Sequence, residues 1–213
     1  TRNAHGNSMY IETDIVRLGE VNVSALAERI SAIPDEAWNQ NTSRQKIFPA
    51  HADTQTLWMV YDPDFRHMNP TRRDLMDEYE PLLAPTLELI VGHYANTLAD
   101  KIIPEMRQQP RPGYFIRIIM TRLRAGGNII IHRDGGMSLK RCHRVHLPVI
   151  TNEQCMFTSG NTTLHMRAGE VFEINNRQDH GVQNAGEAAR VHIILDYVQP
   201  GEYIEDPKGP VVA

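Results

Sequence analysis

The stretch NIIIHRDGGMSLKRCHRVHLPVI, residues 128–150, decides the fold of this chain. It contains two short β-branched runs, Asn128–His132 and His143–Ile150, with a Gly-Gly turn signal at 135–136 between them. Runs of this length that are bounded by turn residues are typical of strands. We therefore predict two strands joined by a polar loop.

The same texture extends from Pro110 to Val198. Turn signals separate further short runs, which we predict as strands: Tyr114–Leu123, Thr162–Met166, Glu170–Ile174 and Ala189–Val198. Several short strands at close spacing favour a sandwich or a barrel. The sequence therefore predicts a mainly β fold, in which an antiparallel double sheet is flanked by helices.

Helical patterns dominate the residues before Pro110. A helix is predicted to begin at Ser24 and to stop at Pro34, and the longest helix is predicted over Leu83–Leu98. Its apolar face would consist of Leu87, Ile90, Val91, Tyr94 and Leu98. Strands are expected at residues 10–18 and 54–61, and a loop at residues 63–73. We expect one domain over 1–213, with 1–110 flanking a β core at 111–200 that carries the functional site.

Composition excludes several classes of protein. The chain has 213 residues and 41% hydrophobic residues, ordinary for one globular domain. Its net charge of −4 argues against nucleic-acid partners and against anionic membranes. No apolar run approaches the roughly 18 residues of a membrane span. We expect a soluble cytoplasmic protein with Cys142 and Cys155 as buried free thiols. Met9 as the natural start, with residues 1–8 as a remnant, stays open.

His132 and Asp134 form a His-x-Asp pair at the end of a predicted strand. Residues i and i+2 of an extended segment point to the same face, so both can contact one ion. His180 lies 48 residues downstream. Two imidazoles and a carboxylate on one face of an ion form the facial triad of non-haem Fe(II) oxygenases. A His-x-Asp pair alone is weak, since it recurs at His51 and Asp53.

Three basic residues strengthen the prediction. Arg190 follows His180 by ten residues, across a predicted turn, and its planar fork matches a carboxylate. Arg144 and His146 share one face of their predicted strand. If that face is interior, both residues need an anionic neighbour. A solvated face of an edge strand remains the alternative, as does an ordinary surface position for Arg190.

With these residues in place, the chain resembles the aspartyl/asparaginyl β-hydroxylase-like branch of the Fe(II)/2-oxoglutarate-dependent dioxygenases. The resemblance rests on IHRDGGMSLKRCHRVHLPVI (131–150) and RAGEVFEINNRQDHGVQNAGEAARVHIILDYV (167–198). The resemblance extends over about 114–198, and a weaker similarity occurs at 41–61. It implies a double-stranded β-helix (jelly-roll, cupin-like) core, Fe(II), 2-oxoglutarate as co-substrate, and O2.

The resemblance also implies roles for single residues. His132 and His180 would bind iron, and Arg190 would bind the distal carboxylate of 2-oxoglutarate. The co-substrate would also contact Arg144, His146 and the hydroxyl of Thr121. Well-known animal members of the branch lack an acidic ligand two residues after the first histidine. The presence of Asp134 strengthens the prediction of iron binding. It weakens the expectation that the substrate is the same as that of those animal enzymes.

Substrate contacts are predicted at two places. The resemblance puts the first His-x-Asp in a strand before the core, where His51, Trp58 and Arg66 would line the substrate mouth. Trp58 as a core residue is the alternative. Asn175 and Arg177, just before His180, would rim the site, with an ordinary polar loop as the alternative.

The expected activity is hydroxylation of an unactivated C–H bond of an amino-acid side chain, with succinate and CO2 as co-products. The substrate is left open between an Asp- or Asn-type residue of a peptide and a free amino acid or small metabolite. A cupin-like metal-binding module without oxygenase activity is the alternative of another class. It would leave Arg190 unexplained, because cupins favour His-x-His with a Glu and a later His. A degenerate relative without turnover is the third possibility.

Overall fold

The computed structural model describes residues 11, 13–62, 70–97, 113–140 and 142–200. Its helices are α1 (Ser24–Ser31), α2 (Asp35–Trp38), α3 (Ser43–Ile47), α4 (Asp74–Thr97) and α5 (Met137–Lys140), with a 3₁₀ turn at Pro49–His51. Its strands are β1 (Ile15–Glu20), β2 (Thr54–Tyr61), β3 (Thr71–Arg72), β4 (Tyr114–Leu123), β5 (Asn128–His132), β6 (His143–Ile150), β7 (Cys155–Ser159), β8 (Thr162–Leu164), β9 (Glu170–Ile174), β10 (His180–Asn184) and β11 (Arg190–Val198).

The strands form two antiparallel sheets. The larger sheet has seven strands in the order β1-β9-β6-β11-β4-β2-β3, and the smaller has four in the order β5-β10-β7-β8. A small apolar core joins the two, with Phe157 and Val182 from the smaller sheet and Leu123 and Phe172 from the larger. This arrangement is the predicted double-stranded β-helix core. Strands β1, β2 and β3, from the first part of the chain, extend its larger sheet.

The larger hydrophobic core lies on the other face of the seven-stranded sheet, against α1 and α4. In β6, Val145, Leu147 and Val149 face this core. Because side chains alternate along a strand, Arg144 and His146 face the space between the sheets. Both are at most 6% exposed, and β6 lies between β9 and β11. The alternative of a solvated edge strand for these two residues is therefore wrong.

Several predicted elements differ from the observed ones. The first strand starts at Ile15, the predicted strand at 162–166 ends at Leu164, and two residues of the predicted loop at 63–73 form β3. Strands β7 and β10 were not predicted. Their sequences, CMFTS and HGVQN, lack a clear apolar alternation, and β10 is held by pairing with a strand on each side.

Helix α4 begins at Asp74 instead of Leu83 and contains Pro81 and Pro85. A proline removes one helical N–H donor, which usually ends a helix. Here both prolines are exposed, so water can satisfy the carbonyl groups left without a donor. The predicted apolar face is partly wrong, since Val91 is 42% exposed while Ile90 is fully buried. Leu98 lies outside the described residues.

Two expectations from composition can be compared with the structure. Cys142 and Cys155 are buried free thiols, as predicted. Across the described ranges, no helix combines the length and the apolar character that crossing a membrane requires.

Candidate metal centre

Strand pairing brings the two predicted metal-binding histidines together. β5 and β10 are antiparallel neighbours, and His132 stands opposite His180 in their register. Asp134 follows β5, and its backbone N–H donates to the carbonyl of Asn176 at 3.2 Å, in the turn before β10. One Asp134 oxygen lies 3.6 Å from His132 Nε2, and the other lies 3.6 Å from His180 Nε2. The three ligand atoms lie within 4.8 Å of one another, close enough to share one ion.

Backbone carbonyls orient both imidazoles. His132 Nδ1 lies 2.7 Å from the carbonyl oxygen of Ile130, and His180 Nδ1 lies 3.0 Å from that of Gln178. Because a carbonyl only accepts, each Nδ1 carries the proton and each Nε2 presents its lone pair to the centre. This is the tautomer that a metal requires. The donor set, two neutral imidazoles and a carboxylate, fits Fe(II).

Asp134 is ionised in the absence of a metal. Its burial opposes ionisation, but the Arg144 guanidinium and the two imidazoles outweigh this effect and hold the pKa of the carboxyl well below its usual range. Arg144 Nη1 donates to the carboxylate at 2.5 Å. Burial also lowers the pKa of His180, against the attraction of Asp134. The centre therefore carries the negative charge of Asp134 before a metal binds, and burial favours the neutral form of His180.

A chain of buried ion pairs supports this carboxylate from behind. Arg144 donates through Nε and Nη2 to Asp196, both at 2.8 Å. Arg117 donates to Asp196 at 2.7 Å and to Asp62 at 2.5 Å. Asp62 and Asp196 are fully buried. Each guanidinium is thus held between two carboxylates, which fixes the position of Arg144 against Asp134.

Arg190 differs from these two arginines. It is 1% exposed, yet no carboxylate of the described residues lies within ion-pair distance of it, and its Nε has no hydrogen-bond partner there. Its Nη2 lies 2.6 Å from Nδ1 of His192, which burial and Arg190 keep neutral by lowering its pKa. Burial lowers the pKa of Arg190 to about 10, so it remains a cation at neutral pH. A buried cation of this kind requires an anion.

One cavity between the sheets contains two of the metal-ligand candidates and the predicted co-substrate residues. It is lined by His132, His180, Thr121, Arg144, His146 and Arg190. His146 is 5% exposed, and neither ring nitrogen has a hydrogen-bond partner in the described structure. Burial, then Arg190, holds its pKa well below the ordinary value, so the ring is neutral. Thr121 is buried on β4, opposite His192 of β11, and its hydroxyl donates to the His192 carbonyl at 3.3 Å.

The predicted substrate residues fall in different places. His51 is buried beside the metal ligands, with its ring centroid 5.0 Å from that of His132. Trp58 lies instead on a separate cleft between β2, α1 and α4. Asn175 and Arg177 do not line the cavity, and the Asn175 side chain bonds to the backbone of Ile11 and of Arg177. Arg66 lies outside the described residues.

Among the charged residues of the cavity, Arg44 was not predicted from the sequence. Arg44 of α3 lines the cavity, with Nη2 3.2 Å from His51 Nε2 and Nη1 3.4 Å from the Thr56 hydroxyl. A single arginine in a short polar helix carries no pattern that would identify it. The contact of the following 3₁₀ turn with β5, which brings this segment to the site, is visible only in the fold.

Comparisons with known proteins agree with this description. Residues 101–200 match the family model for Aspartyl/Asparaginyl beta-hydroxylase. A 2OG-Fe(II) oxygenase family oxidoreductase from Burkholderia pseudomallei aligns at 12% identity, over 89% of this chain and 96% of that one, with a TM-score of 0.52. A prolyl-4-hydroxylase from Pseudomonas putida aligns at 13% identity, over 88% and 94%, with a TM-score of 0.52.

A third structure, the collagen prolyl hydroxylase of Paramecium Bursaria Chlorella virus-1, was solved as a 2-oxoglutarate complex. It aligns at 8% identity, over 91% of this chain and 98% of that one, with a TM-score of 0.51. At these identities the three structures establish the fold. Together with the family match they define the class: the protein is a 2-oxoglutarate-dependent oxygenase of the hydroxylase type. Its segment 101–200 is similar to the aspartyl/asparaginyl β-hydroxylase family.

Proposed function

We propose that the protein is an Fe(II)- and 2-oxoglutarate-dependent dioxygenase that hydroxylates an unactivated C–H bond of an amino-acid side chain, with succinate and CO2 as co-products. One observation carries the proposal. Arg190, a fully buried cation with no carboxylate partner among the described residues, lies in the same cavity as His132 and His180, two of the three clustered metal-ligand candidates.

His132, Asp134 and His180 would hold Fe(II) through two Nε2 atoms and a carboxylate oxygen. Three such ligands on one side of an octahedral ion leave three positions for co-substrate and O2. The bound iron, together with 2-oxoglutarate and O2, supplies the oxidising power for the reaction. The protein contributes the orientation of the reactants and a cavity that excludes bulk water.

Arg190 would bind the carboxylate of 2-oxoglutarate that is remote from the metal. Its planar fork donates two parallel hydrogen bonds to a carboxylate, and its burial makes that pairing strong. The unpartnered ring of His146 would donate a further hydrogen bond to the same molecule, and the hydroxyl of Thr121 would donate one only by giving up its bond to the His192 carbonyl. Both lie on strands that flank Arg190 in the larger sheet.

Arg144 has a structural contribution beyond the predicted contact with co-substrate. Its donors are engaged by Asp134 and Asp196, so it positions the acidic metal ligand and keeps it ionised. Contact between Arg144 and the co-substrate stays a prediction.

A cupin-like module that binds metal without oxygenase activity would leave the charge of Arg190 buried and uncompensated, which is costly. The names of the family and of two structural neighbours refer to hydroxylation of amino-acid residues, which supports an amino-acid side chain as the target. Peptide and free amino-acid substrates both fit this proposal.

The test is an anaerobic titration of metal-free protein with Fe(II) and then 2-oxoglutarate, followed by the visible charge-transfer band of the iron–2-oxoglutarate complex. We expect the band in the wild type and its loss in His180→Ala. Arg190→Gln should keep its Fe(II) affinity and need roughly 10- to 100-fold more 2-oxoglutarate, since it loses charge-assisted hydrogen bonds.

Arg17→Gln is the matched control, because Arg17 is 46% exposed and its ion pairs, with Glu20 and Glu170, do not involve the cavity residues. It should titrate as the wild type does. An unchanged 2-oxoglutarate affinity in folded Arg190→Gln would refute the role of Arg190. A wild type that binds metal tightly but forms no band would favour the cupin-like module.

A further inference from the structure

We propose that Arg44 binds a carboxylate of the substrate, and that the substrate is therefore a carboxylic acid. The inference rests on the proposed function, because it needs a co-substrate at Arg190. It assigns to Arg44 a recognition role at the substrate side of the cavity.

Arg44 lies within two side chains of the metal ligands. Its Nη2 is 3.2 Å from His51 Nε2, and the His51 ring packs edge-on against the His132 ring at 5.0 Å between centroids. Arg44 lines the cavity together with His132, His180 and Arg190. A small molecule bound to its guanidinium would lie against the open side of the metal centre.

The three arginines that line the cavity, together with Arg117, divide into two pairs. Arg117 and Arg144 are each held between two aspartates at ion-pair distance. For Arg44 and Arg190, no such carboxylate occurs among the described residues. Burial first, and then the Arg144 charge, lower the pKa of Arg44 to about 10, so it stays protonated at neutral pH. The Arg44 side chain is only partly buried, so water solvates part of its charge, but it lines the cavity as a second cation without a carboxylate partner among the described residues.

The co-substrate uses only one of these two cations. In the proposed complex, 2-oxoglutarate binds the metal through its 2-oxo acid end and Arg190 through its other carboxylate. Its two negative charges, Fe(II), Arg190 and the five residues of the ion-pair chain (Asp62, Arg117, Asp134, Arg144 and Asp196) then balance to zero. Arg44 leaves one positive charge over, which one substrate carboxylate would compensate.

The hydrogen bonds of Arg44 leave room for such a ligand. In its described contacts it uses two of the five N–H donors of a guanidinium, at the long distances of 3.2 and 3.4 Å to neutral groups. A carboxylate would accept two stronger, parallel bonds. Its source would be either the α-carboxylate of a free amino acid or the acidic side chain of a peptide.

The experiment measures succinate formed from 2-oxoglutarate in the presence of Fe(II) and O2. The probes are the twenty free L-amino acids, the carboxamides of the same amino acids, and the N-acetyl amides of aspartate and glutamate, which keep only a side-chain carboxylate. Wild type is compared with Arg44→Gln, with Arg44→Lys, and with Lys46→Gln as control. Lys46 is an exposed cation two residues away on the same helix, so its loss changes the net charge equally.

We expect one or more carboxylic acids to stimulate the wild type at least tenfold better than their amides. In Arg44→Gln, kcat/KM for those acids should fall roughly 10- to 100-fold, and the difference between acid and amide should collapse. Arg44→Lys should be intermediate, because it keeps the charge and loses the fork. Lys46→Gln should match the wild type. Stimulation by free acids alone indicates an α-carboxylate, whereas stimulation by the blocked acids indicates a side-chain carboxylate.

The anaerobic iron–2-oxoglutarate band separates this proposal from the proposed function. The 2-oxoglutarate affinity of Arg44→Gln should stay within about twofold of the wild type. An affinity loss like that of Arg190→Gln would move Arg44 to the co-substrate and overturn the inference. Equal stimulation by acids and amides, or a band without stimulation by any acid, would also overturn it. Absence of the band in the wild type would refute the proposed function instead.

Discussion

Asp196→Asn tests how strongly the buried ion-pair chain holds the site. The Asp196 carboxylate is fully buried and accepts three charge-assisted hydrogen bonds, two from Arg144 at 2.8 Å and one from Arg117 at 2.7 Å. Asparagine has nearly the same volume but one acceptor oxygen, and its amide nitrogen would face guanidinium donors. The buried cations Arg117 and Arg144 would then each keep one carboxylate partner, Asp62 and Asp134 respectively.

The expected loss of stability is large for one substitution. Removing one partner of a buried ion pair costs about 3–5 kcal/mol, mainly because the remaining charge is left uncompensated. For a domain of this size, 1 kcal/mol corresponds to a Tm shift of about 2–4 °C, so Tm should fall by about 6–20 °C. Metal affinity should also fall roughly 10- to 100-fold, because Arg144 no longer holds Asp134 in place.

Urea denaturation of the metal-free protein gives the stability change, and a metal titration gives the affinity. Asp77→Asn is the control, since Asp77 is 67% exposed in a surface ion pair with Arg72. Its loss should cost less than about 1 kcal/mol. If Asp196→Asn cost no more than this control, the chain would not be a source of stability. If stability fell and metal affinity did not, Arg144 would not position Asp134.

Three further predictions follow from burial and ligand geometry. Burial, reinforced by Arg190, keeps the pKa of His146 and of His192 well below normal, so below about pH 6 the unfolded chain takes up protons that the folded chain does not. The free energy of unfolding should therefore fall by about 1.4 kcal/mol per pH unit for each histidine. Denaturation at pH 7, 6 and 5 should show a shallower dependence on pH for His192→Asn than for the wild type. Divalent metal at about 100 times its Kd should stabilise the wild type by about 2.7 kcal/mol in the same assay, and His180→Ala should lose this effect. Leu195→Ala, at a fully buried position of the larger core, should cost about 2–5 kcal/mol while leaving metal affinity unchanged.

The sequence predicts best those strands whose side chains alternate or are continuously apolar. β4, β6 and β9 have the predicted bounds because their β-branched runs end at turn residues. β10 could not be found in this way, because Val182 is the only large apolar residue in its sequence, HGVQN. Its extended form comes from hydrogen bonds to β5 and β7, which are set by pairing over long distances in the chain.

The same difference applies to the residues of the candidate site: some were predictable from spacing in the sequence, and others depend on long-range packing. The spacing of His132, Asp134 and His180 is a local and topological signal, and the structure places the three together. The partners of Arg144 were not predictable, because Asp196 and Asp134 approach it from other strands and loops. Arg44 was not predictable either, since its position depends on how α3 packs against β2 and on how the following 3₁₀ turn packs against β5.

Asp134, the acidic metal-ligand candidate, depends on its ion pair with Arg144. A buried carboxylate awaiting a metal would be costly alone, and protonation would remove its ability to bind the ion. Arg144 compensates the charge of Asp134 before a metal binds. The remaining donors of the Arg144 guanidinium are paired with Asp196. The centre is therefore organised and charged in the metal-free protein. The two arginines outside this network, Arg190 and Arg44, have no carboxylate partner among the described residues, and we predict that bound molecules supply their anions.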